Sequence, residues 1–253
     1  MKITILGSGS KGNSTLLDFD DVKILIDIGF SYKDLKEKLE SINVNPKDID
    51  YLFITHDHID HIYGLKSFLN KHKPIVYISK KVADFYLTDK KYEKINNLSE
   101  EILINDIFIK PVPTSHDSLD SYGFLIEYKD ESIVYITDTG YIHQRNLSLL
   151  ENKTYYIIES NHDTKMLING RYPHHLQQRI LSNVGHLSNE LCSSYLTKLI
   201  GPNTKKIILA HLSEENNTPE VALDTLNSIL EKNDIHIKNI ECASQSKILE
   251  VVK

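Results

Sequence analysis

The sequence is poor in cysteine and has no apolar run of membrane-spanning length. Its two cysteines, Cys192 and Cys242, lie far apart and form no C-x-x-C pair, which argues against a disulfide framework. The chain starts directly with a short apolar strand, where a secreted protein would carry a signal peptide. These absences predict a cytoplasmic protein with reduced thiols and no membrane partner.

The sequence also lacks nucleotide-binding motifs and an excess of positive charge. The Gly-rich loop at residues 7–14 has neither the Gly-Lys-Ser/Thr ending of a P-loop nor the G-x-G-x-x-G pattern, which disfavours a nucleotide-binding fold. This loop is either a turn between strands or an anion-binding loop. The formal net charge of -6 argues against generic polyanion binding, although a local basic patch remains compatible with it.

The length and apolar content predict one large α/β domain spanning residues 1–253. With 253 residues and 40% hydrophobic content, the chain can bury a substantial core. Apolar spacing predicts helices over 31–41, 62–70 and 219–232, one from Ser188 to before Gly201, and helix plus loop over 80–101. Strands are predicted over 1–6, 15–19, 22–26, 49–54, 75–78, 102–105, 107–111, 122–128, 132–136, 155–158, 206–210, 235–240 and 248–252.

A histidine-rich segment follows the predicted strand 49–54. Residues 55–61, T-H-D-H-I-D-H, contain three imidazoles and two carboxylates, which are ligand types for zinc, iron or manganese. Alternate residues of an extended turn face one side, so His56 and His58 can bind one ion while Asp60 and His61 reach a second. The alternative is a solvated surface loop, which would be the better interpretation of a lone H-x-H.

Further ligand-type residues stand at the ends of later strands, where open α/β sheets place their chemistry. His116, Asp138 and His211 each follow an apolar strand, and the two oxygens of Asp138 suit it to bridge two cations. Asp27 ends the strand 22–26. It could orient the histidine segment or simply bind neighbouring backbone.

The most basic local stretch is 164–181. It carries Lys165, Arg171, His174, His175 and Arg179 with only Asp163 nearby to offset them. Such a run is commonly a solvated face, but its position beside candidate site residues makes Arg171, His174 and Arg179 candidates for contacts with backbone phosphates.

The pattern H-x-H-x-D-H, followed by His, Asp and His at strand ends, resembles the metallo-β-lactamase fold family. This resemblance implies an α/β (α+β) fold, the αβ/βα sandwich of two mixed β-sheets flanked by helices, and a binuclear metal-dependent hydrolase. It implies two divalent ions, Zn²⁺, Mn²⁺ or Fe²⁺. It also implies that the first ion is held by His56, His58 and His116, the second by Asp60, His61 and His211, and that Asp138 bridges them.

Within this family the sequence is most similar to the bacterial YycJ/WalJ group. The residues that carry the similarity are 7–14, 56–61, 138–141, 159–163 with Met166-Leu167, 170–173 and 185–189. The resemblance implies a 5′-to-3′ exonuclease that takes DNA as its substrate and has manganese as a plausible activator. The alternative is a small-molecule hydrolase of phosphodiesters, thioesters or lactones on the same fold.

One departure from the family bears on the proton donor. The tRNA nucleases of the family take their last metal histidine from a strand near the C-terminus, whereas residues 241–244 here contain no imidazole. The related phosphodiesterases imply that His211 serves the second ion and that His186 is the proton donor. The predicted catalytic residues are Asp60 and His186. The alternative keeps His211 as the acid.

Two further residues are candidates for contact with the substrate. Asn161 and His162 follow the strand 155–158 and could contact the scissile phosphate or support a metal ligand. Each could equally satisfy buried backbone groups.

Overall fold

The computed structural model describes residues 1–88, 92, 94–98 and 100–252. The chain forms two compact units. The first unit comprises residues 1–100, 118–121 and 243–253, and the second comprises 101–117 and 122–242. Each is built on a seven-stranded sheet. The single domain expected over 1–253 stays a prediction.

The strands are numbered in chain order. They are β1 (Lys2–Gly7), β2 (Ser14–Asp18), β3 (Lys23–Ile26), β4 (Tyr51–Phe53), β5 (Ile75–Ile78), β6 (Ile95–Asn97), β7 (Ile102–Ile104), β8 (Ile107–Pro113), β9 (Tyr122–Tyr128), β10 (Glu131–Ile136), β11 (Tyr155–Glu159), β12 (Lys206–Ala210), β13 (Ile240–Cys242) and β14 (Leu249–Val252).

The helices are numbered in the same way. They are α1 (Tyr32–Ser41), α2 (Ile59–Ile62), α3 (Leu65–Lys71), α4 (Lys80–Tyr86), α5 (Gln144–Leu150), α6 (Thr164–Asn169), α7 (His174–Leu181), α8 (Asn189–Leu199) and α9 (Pro219–Lys232). Within the described residues, no helix has both the length and the apolar character needed to cross a membrane.

The sheet of the first unit is mixed. Its order is β14-β1-β2-β3-β4-β5-β6, with antiparallel pairing from β14 to β3 and parallel pairing from β3 to β6. Leu35 of α1 and Phe68 of α3 pack on one face of this sheet with Leu25, Leu52 and Val76. Because β3, β4 and β5 are parallel, their carboxyl ends lie at one edge, and the histidine segment leaves β4 there.

The sheet of the second unit is mixed as well. Its order is β13-β12-β11-β10-β9-β8-β7, and the strands from β10 to β13 are parallel. Leu196 of α8 and Leu226 of α9 pack on one face with Val134, Ile158 and Leu209. The parallel register aligns the carboxyl ends of β10, β11 and β12, so the residues that follow these strands meet at one edge.

Much of the predicted secondary structure is confirmed. The elements 75–78, 122–128, 206–210 and 219–232 have the predicted bounds, and Ser31 and Ser188 are the N-caps of α1 and α8. The strand over 235–240 is wrong, because only Ile240 is in a strand. Ile235 and Ile237 instead pack beside α9 as part of the connection. Part of the predicted segment 80–101 lies outside the described residues.

Candidate metal centre

The first unit brings four of the five ligand-type residues of the histidine segment together. The ring centroids of His56 and His61 are 4.0 Å apart, and those of His56 and His58 are 4.8 Å apart. Asp60 Oδ2 lies 3.6 Å from His61 Nε2. His56 and His61 are buried, whereas His58 and Asp60 are half-buried. The segment is therefore an ordered part of the structure rather than a solvated loop.

Asp27 orients His61. Its buried carboxylate accepts hydrogen bonds from the backbone N–H of Thr55, from the Thr55 hydroxyl and from His61 Nδ1, at 2.8, 2.8 and 2.7 Å. Burial raises the pKa of Asp27, and the interactions with His61 and Thr55 oppose that shift. With Nδ1 engaged by Asp27, the lone pair of the His61 ring is on Nε2.

Asn13 in the Gly-rich loop also binds the histidine segment. Its side-chain amide donates to Asp60 Oδ2 at 3.2 Å and to His61 Nε2 at 2.9 Å, and its backbone N–H donates to the Asp60 carbonyl at 2.8 Å. A Cβ on Gly29 would lie 1.7 Å from that carbonyl oxygen, so only glycine permits this approach. Sequence reasoning noted the loop but did not select Asn13.

In the second unit, three candidate donors at the ends of neighbouring strands converge with His186, which lies in the connection between α7 and α8. Ligand atoms of Asp138, Glu159, His186 and His211 all lie within 4.8 Å of one another. His211 Nε2 is 3.4 Å from Asp138 Oδ1, and His116 Nε2 is 3.9 Å from the same oxygen. Asp138 and His211 both have positive φ, 55° and 56°, a strained conformation for non-glycine residues that is typical of functional sites.

Glu159 is a second residue of the candidate centre that sequence reasoning did not select. Its carboxylate accepts hydrogen bonds from His186 Nδ1 (2.7 Å) and His211 Nδ1 (3.1 Å), and from the backbone N–H groups of Thr139 (2.9 Å) and Leu187 (3.1 Å). Its position at the end of an apolar strand was the available signal, the same one that selected Asp27.

The charge state of Glu159 fixes the tautomer of both histidines. Burial by itself raises the pKa of Glu159, but the charge and hydrogen bond of His186 and the hydrogen bond of His211 bring it down to about 2. An ionised carboxylate only accepts hydrogen bonds. Nδ1 therefore carries a proton in both His186 and His211, and Nε2 is the nitrogen of each ring that does not bond to Glu159.

Asn161 supports His211, and His162 is buried beside it. The Asn161 amide donates to the His211 carbonyl at 2.9 Å. His162 is 1% exposed, and burial lowers its pKa to about 4, so its ring is neutral at pH 7. Ring nitrogens of His162 form no hydrogen bond with any described residue. Substrate contacts by Asn161 and His162 stay predictions.

The basic stretch forms α6 and α7 in the second unit. Arg179 Nε donates to Asp117 Oδ2, the carboxylate next to His116, and this hydrogen bond raises the pKa of Arg179. Arg171 and His174 are exposed, and within the described ranges neither forms an ion pair. Arg171 and His174 therefore remain free to meet phosphates, whereas Arg179 is already engaged.

The donors suit divalent cations. Each unit by itself collects imidazoles and carboxylates within a few ångströms, and this mixture of nitrogen and oxygen ligands suits zinc, manganese or iron. Orienting carboxylates on His61, His186 and His211 are the supports that metal-binding histidines characteristically have.

Comparisons with known proteins agree with this geometry. The profile of the Metallo-beta-lactamase superfamily matches residues 7–211. The exodeoxyribonuclease WalJ of Streptococcus pneumoniae serotype 2 is 37% identical over 93% of this chain and 90% of that protein. The exodeoxyribonuclease YycJ of Bacillus anthracis is 34% identical over 92% of this chain and 90% of that protein.

Solved structures confirm the predicted fold class. The metallo-β-lactamase fold protein YhfI from Bacillus subtilis superposes with a TM-score of 0.72 and 16% identity, over 98% of this chain and 99% of that one. A diphosphatase from the PhnP family gives a TM-score of 0.68 and 20% identity, over 99% and 97%. The profile match and the two exodeoxyribonuclease relatives together show that the chain belongs to the metallo-β-lactamase superfamily, in the group of WalJ and YycJ.

Proposed function

We propose that the chain is a metal-dependent exodeoxyribonuclease that degrades DNA in the 5′-to-3′ direction. The observation that carries this proposal is its 37% identity to WalJ over 93% of the chain, together with the histidine and carboxylate donors at the strand ends of both units. A DNA substrate and two free cysteines agree with a cytoplasmic protein.

The proposed ligands are those that the resemblance to the superfamily implies. We propose two ions, with zinc, manganese or iron as candidates. The proposed ligands are His56, His58 and His116 for the first ion, Asp60, His61 and His211 for the second, and Asp138 as the bridge. Bound divalent cations supply Lewis-acid activation of water and neutralise charge on the phosphodiester.

His186 is the proposed proton donor to the leaving oxygen. Its Nδ1 is held by Glu159 at 2.7 Å, so its Nε2 is the atom that can carry a proton to a substrate. The side chain of His186 is 18% exposed, whereas that of His211 is 3% exposed. The more accessible ring suits proton transfer, and the buried ring beside Asp138 suits metal binding.

Asp60 is the second proposed catalytic residue. Asn13 donates to its carboxylate, and the side chain is 17% exposed. Held in this way, the carboxylate of Asp60 can orient the attacking water and accept its proton. Arg171 and His174, which are exposed on the second unit, are proposed to contact backbone phosphates, and Asn161, His162 and Arg179 to support substrate binding.

The test is nucleotide release from duplex and single-stranded DNA labelled at the 5′ or the 3′ end, with added Mn²⁺. Wild type is expected to release the 5′ label first. Asp138→Ala is expected to release none, and Asp130→Ala, which removes an exposed carboxylate, is expected to match wild type. A wild-type protein that binds metal but leaves DNA intact would overturn the proposal. Activity on small phosphodiesters or thioesters would then identify a small-molecule hydrolase.

A further inference from the structure

An exposed apolar pair lies at the two ends of α2, the helix that carries Asp60 and His61: Ile59 is its first residue, and Tyr63 follows its last. The side chains of Ile59 and Tyr63 are 65% and 61% exposed. The Tyr63 N–H donates to the Ile59 carbonyl at 2.8 Å, which closes one helical turn and places the two side chains on the same face. Single exposed apolar residues are ordinary, but two on one turn beside proposed metal ligands indicate a binding surface.

The backbone of this turn is held firmly. The N–H of Asn13 donates to the Asp60 carbonyl at 2.8 Å, the N–H of Ile28 to the His61 carbonyl at 2.8 Å, and the N–H of Gly64 to the Ile28 carbonyl at 2.9 Å. The exposed pair is therefore presented by a fixed element, and its exposure is not the consequence of a loosely packed loop.

The chain that follows this turn carries positive charge only. Residues 62–73 contain three lysines and a histidine but no carboxylate, in a chain with a net charge of -6. Tyr63 and Gly64, between α2 and α3, have φ and ψ of the right-handed helical region, and Lys66 follows Tyr63 by three residues, which is about one helical turn. Lys66 is exposed and forms no ion pair in the part of the chain that the structure describes. A nucleotide is complementary to such a surface, because its base can pack on the apolar face and its phosphate can pair with the cation.

We propose that Ile59 and Tyr63 form a stacking platform for a nucleobase of single-stranded DNA, with Lys66 contacting the adjacent phosphate. This proposal rests on the proposed nuclease function and names a contact surface for its substrate. Aromatic side chains combined with basic residues are the means by which proteins hold single strands without reading their sequence. Every base has a π-face, so the platform favours no particular base. It favours an unpaired strand end, because the base there is free to stack.

The test compares Tyr63→Ala with Tyr63→Phe and with Phe85→Ala. Phe85 on α4 is the matched control, because it is an aromatic residue of the same unit and is 67% exposed. Loss of one base–aromatic stack predicts a KM for single-stranded DNA about tenfold higher in Tyr63→Ala. Tyr63→Phe keeps the ring and is expected to stay near wild type, as is Phe85→Ala.

A second substrate isolates stacking from other effects of the substitution. On an oligonucleotide whose terminal bases are replaced by abasic sites, the phosphates remain but no base can stack. The KM difference between wild type and Tyr63→Ala is expected to disappear on this substrate. A difference of equal size on both substrates would show that Tyr63 acts on the metal ligands of α2, and would overturn the platform.

Three other results would also decide against the platform. Equal KM values for wild type and Tyr63→Ala on intact single strands overturn it and leave the nuclease function standing. A change in oligomeric state on Tyr63→Ala, seen by sedimentation, assigns the exposed face to a second copy of the chain. A wild type that degrades no DNA overturns the nuclease function itself, and the platform with it.

Discussion

At the scale of single residues, one carboxylate orients two histidines that lie far apart in the chain. Glu159 Oε1 accepts from Nδ1 of both His186 and His211, and its Oε2 accepts from the backbone of Thr139 and Leu187. These four hydrogen bonds all come from donors, and an ionised carboxylate can accept all of them. The residue therefore determines the direction of two imidazoles as well as their tautomers.

We expect Glu159→Gln to weaken metal binding by roughly 10- to 100-fold, the range typical for partners that orient metal ligands. The substitution keeps the shape but replaces an accepting oxygen by a donating NH₂ group, which opposes one of the present donors. Metal affinity is measured by titration of the metal-free protein. Glu131→Gln in the same unit, where the carboxylate binds Tyr155 and Lys205, is the control. Unchanged metal affinity in Glu159→Gln would contradict the orienting role.

The roles of His186 and His211 are separated by a pair of substitutions. His186→Gln removes the proposed proton donor, so we expect kcat on DNA to fall by about 10²–10⁴ while the metal content stays that of wild type. His211→Gln removes a proposed ligand and is expected to lower the metal content. The measurements are kcat and metal analysis of the purified variants.

A substrate with a good leaving group provides the control for this pair. A p-nitrophenyl phosphodiester needs little protonation of its leaving oxygen, so we expect its hydrolysis to suffer much less in His186→Gln than DNA cleavage does. If His211→Gln retains its metal and loses only the acid-dependent step, the roles are reversed and His211 is the acid.

At the scale of elements, the short helices α6 and α7 carry the basic stretch. Arg179 is paired with Asp117, whereas Arg171 is exposed. The two arginines of one segment therefore differ in how freely they can meet a phosphate.

We expect Arg171→Ala to weaken DNA binding in a salt-dependent manner. Loss of one phosphate contact reduces the slope of log K against log salt by about 0.7–0.9. Binding is measured by fluorescence anisotropy over a salt series, without catalytic turnover. Arg145→Ala, an exposed arginine on α5, is the matched control and should keep the wild-type slope. Equal slopes in all three proteins would remove Arg171 from the proposed substrate contacts.

The elements also show where apolar patterns in the sequence are sufficient to predict the bounds of a helix or strand. Strands such as 122–128 and the long helix 219–232 have the predicted bounds because each carries several apolar positions of one period. The helices α5, α6 and α7 have only six to eight residues and present too few apolar positions to show a period. Ile235 and Ile237 alternate as in a strand, yet they pack against the α9 cluster without strand pairing.

At the scale of the whole molecule, folding and metal binding should be linked. Only the folded chain collects the donors from separate strands, so a bound ion stabilises the folded state by mass action. At a free metal concentration 100 times Kd the gain is about 2.7 kcal/mol.

We expect the melting temperature of wild type to rise when Mn²⁺ or Zn²⁺ is added to the metal-free protein, and to fall again with a chelator. Asp138→Ala is expected to show a smaller rise and Asp130→Ala the same rise as wild type. The measurement is thermal unfolding followed by circular dichroism. An equal response in all three proteins would show that the ion binds elsewhere.

The sequence by itself determined the fold family, the histidine segment and the strand-end positions of His116, Asp138 and His211. These are local facts, because a strand and the residue after it are neighbours in the chain. Only the tertiary structure decided which side chains orient the ligands. Asn13 meets Asp60, and Glu159 meets His186 and His211, through hydrogen bonds of about 3 Å between distant segments, a proximity that no periodicity in the sequence encodes.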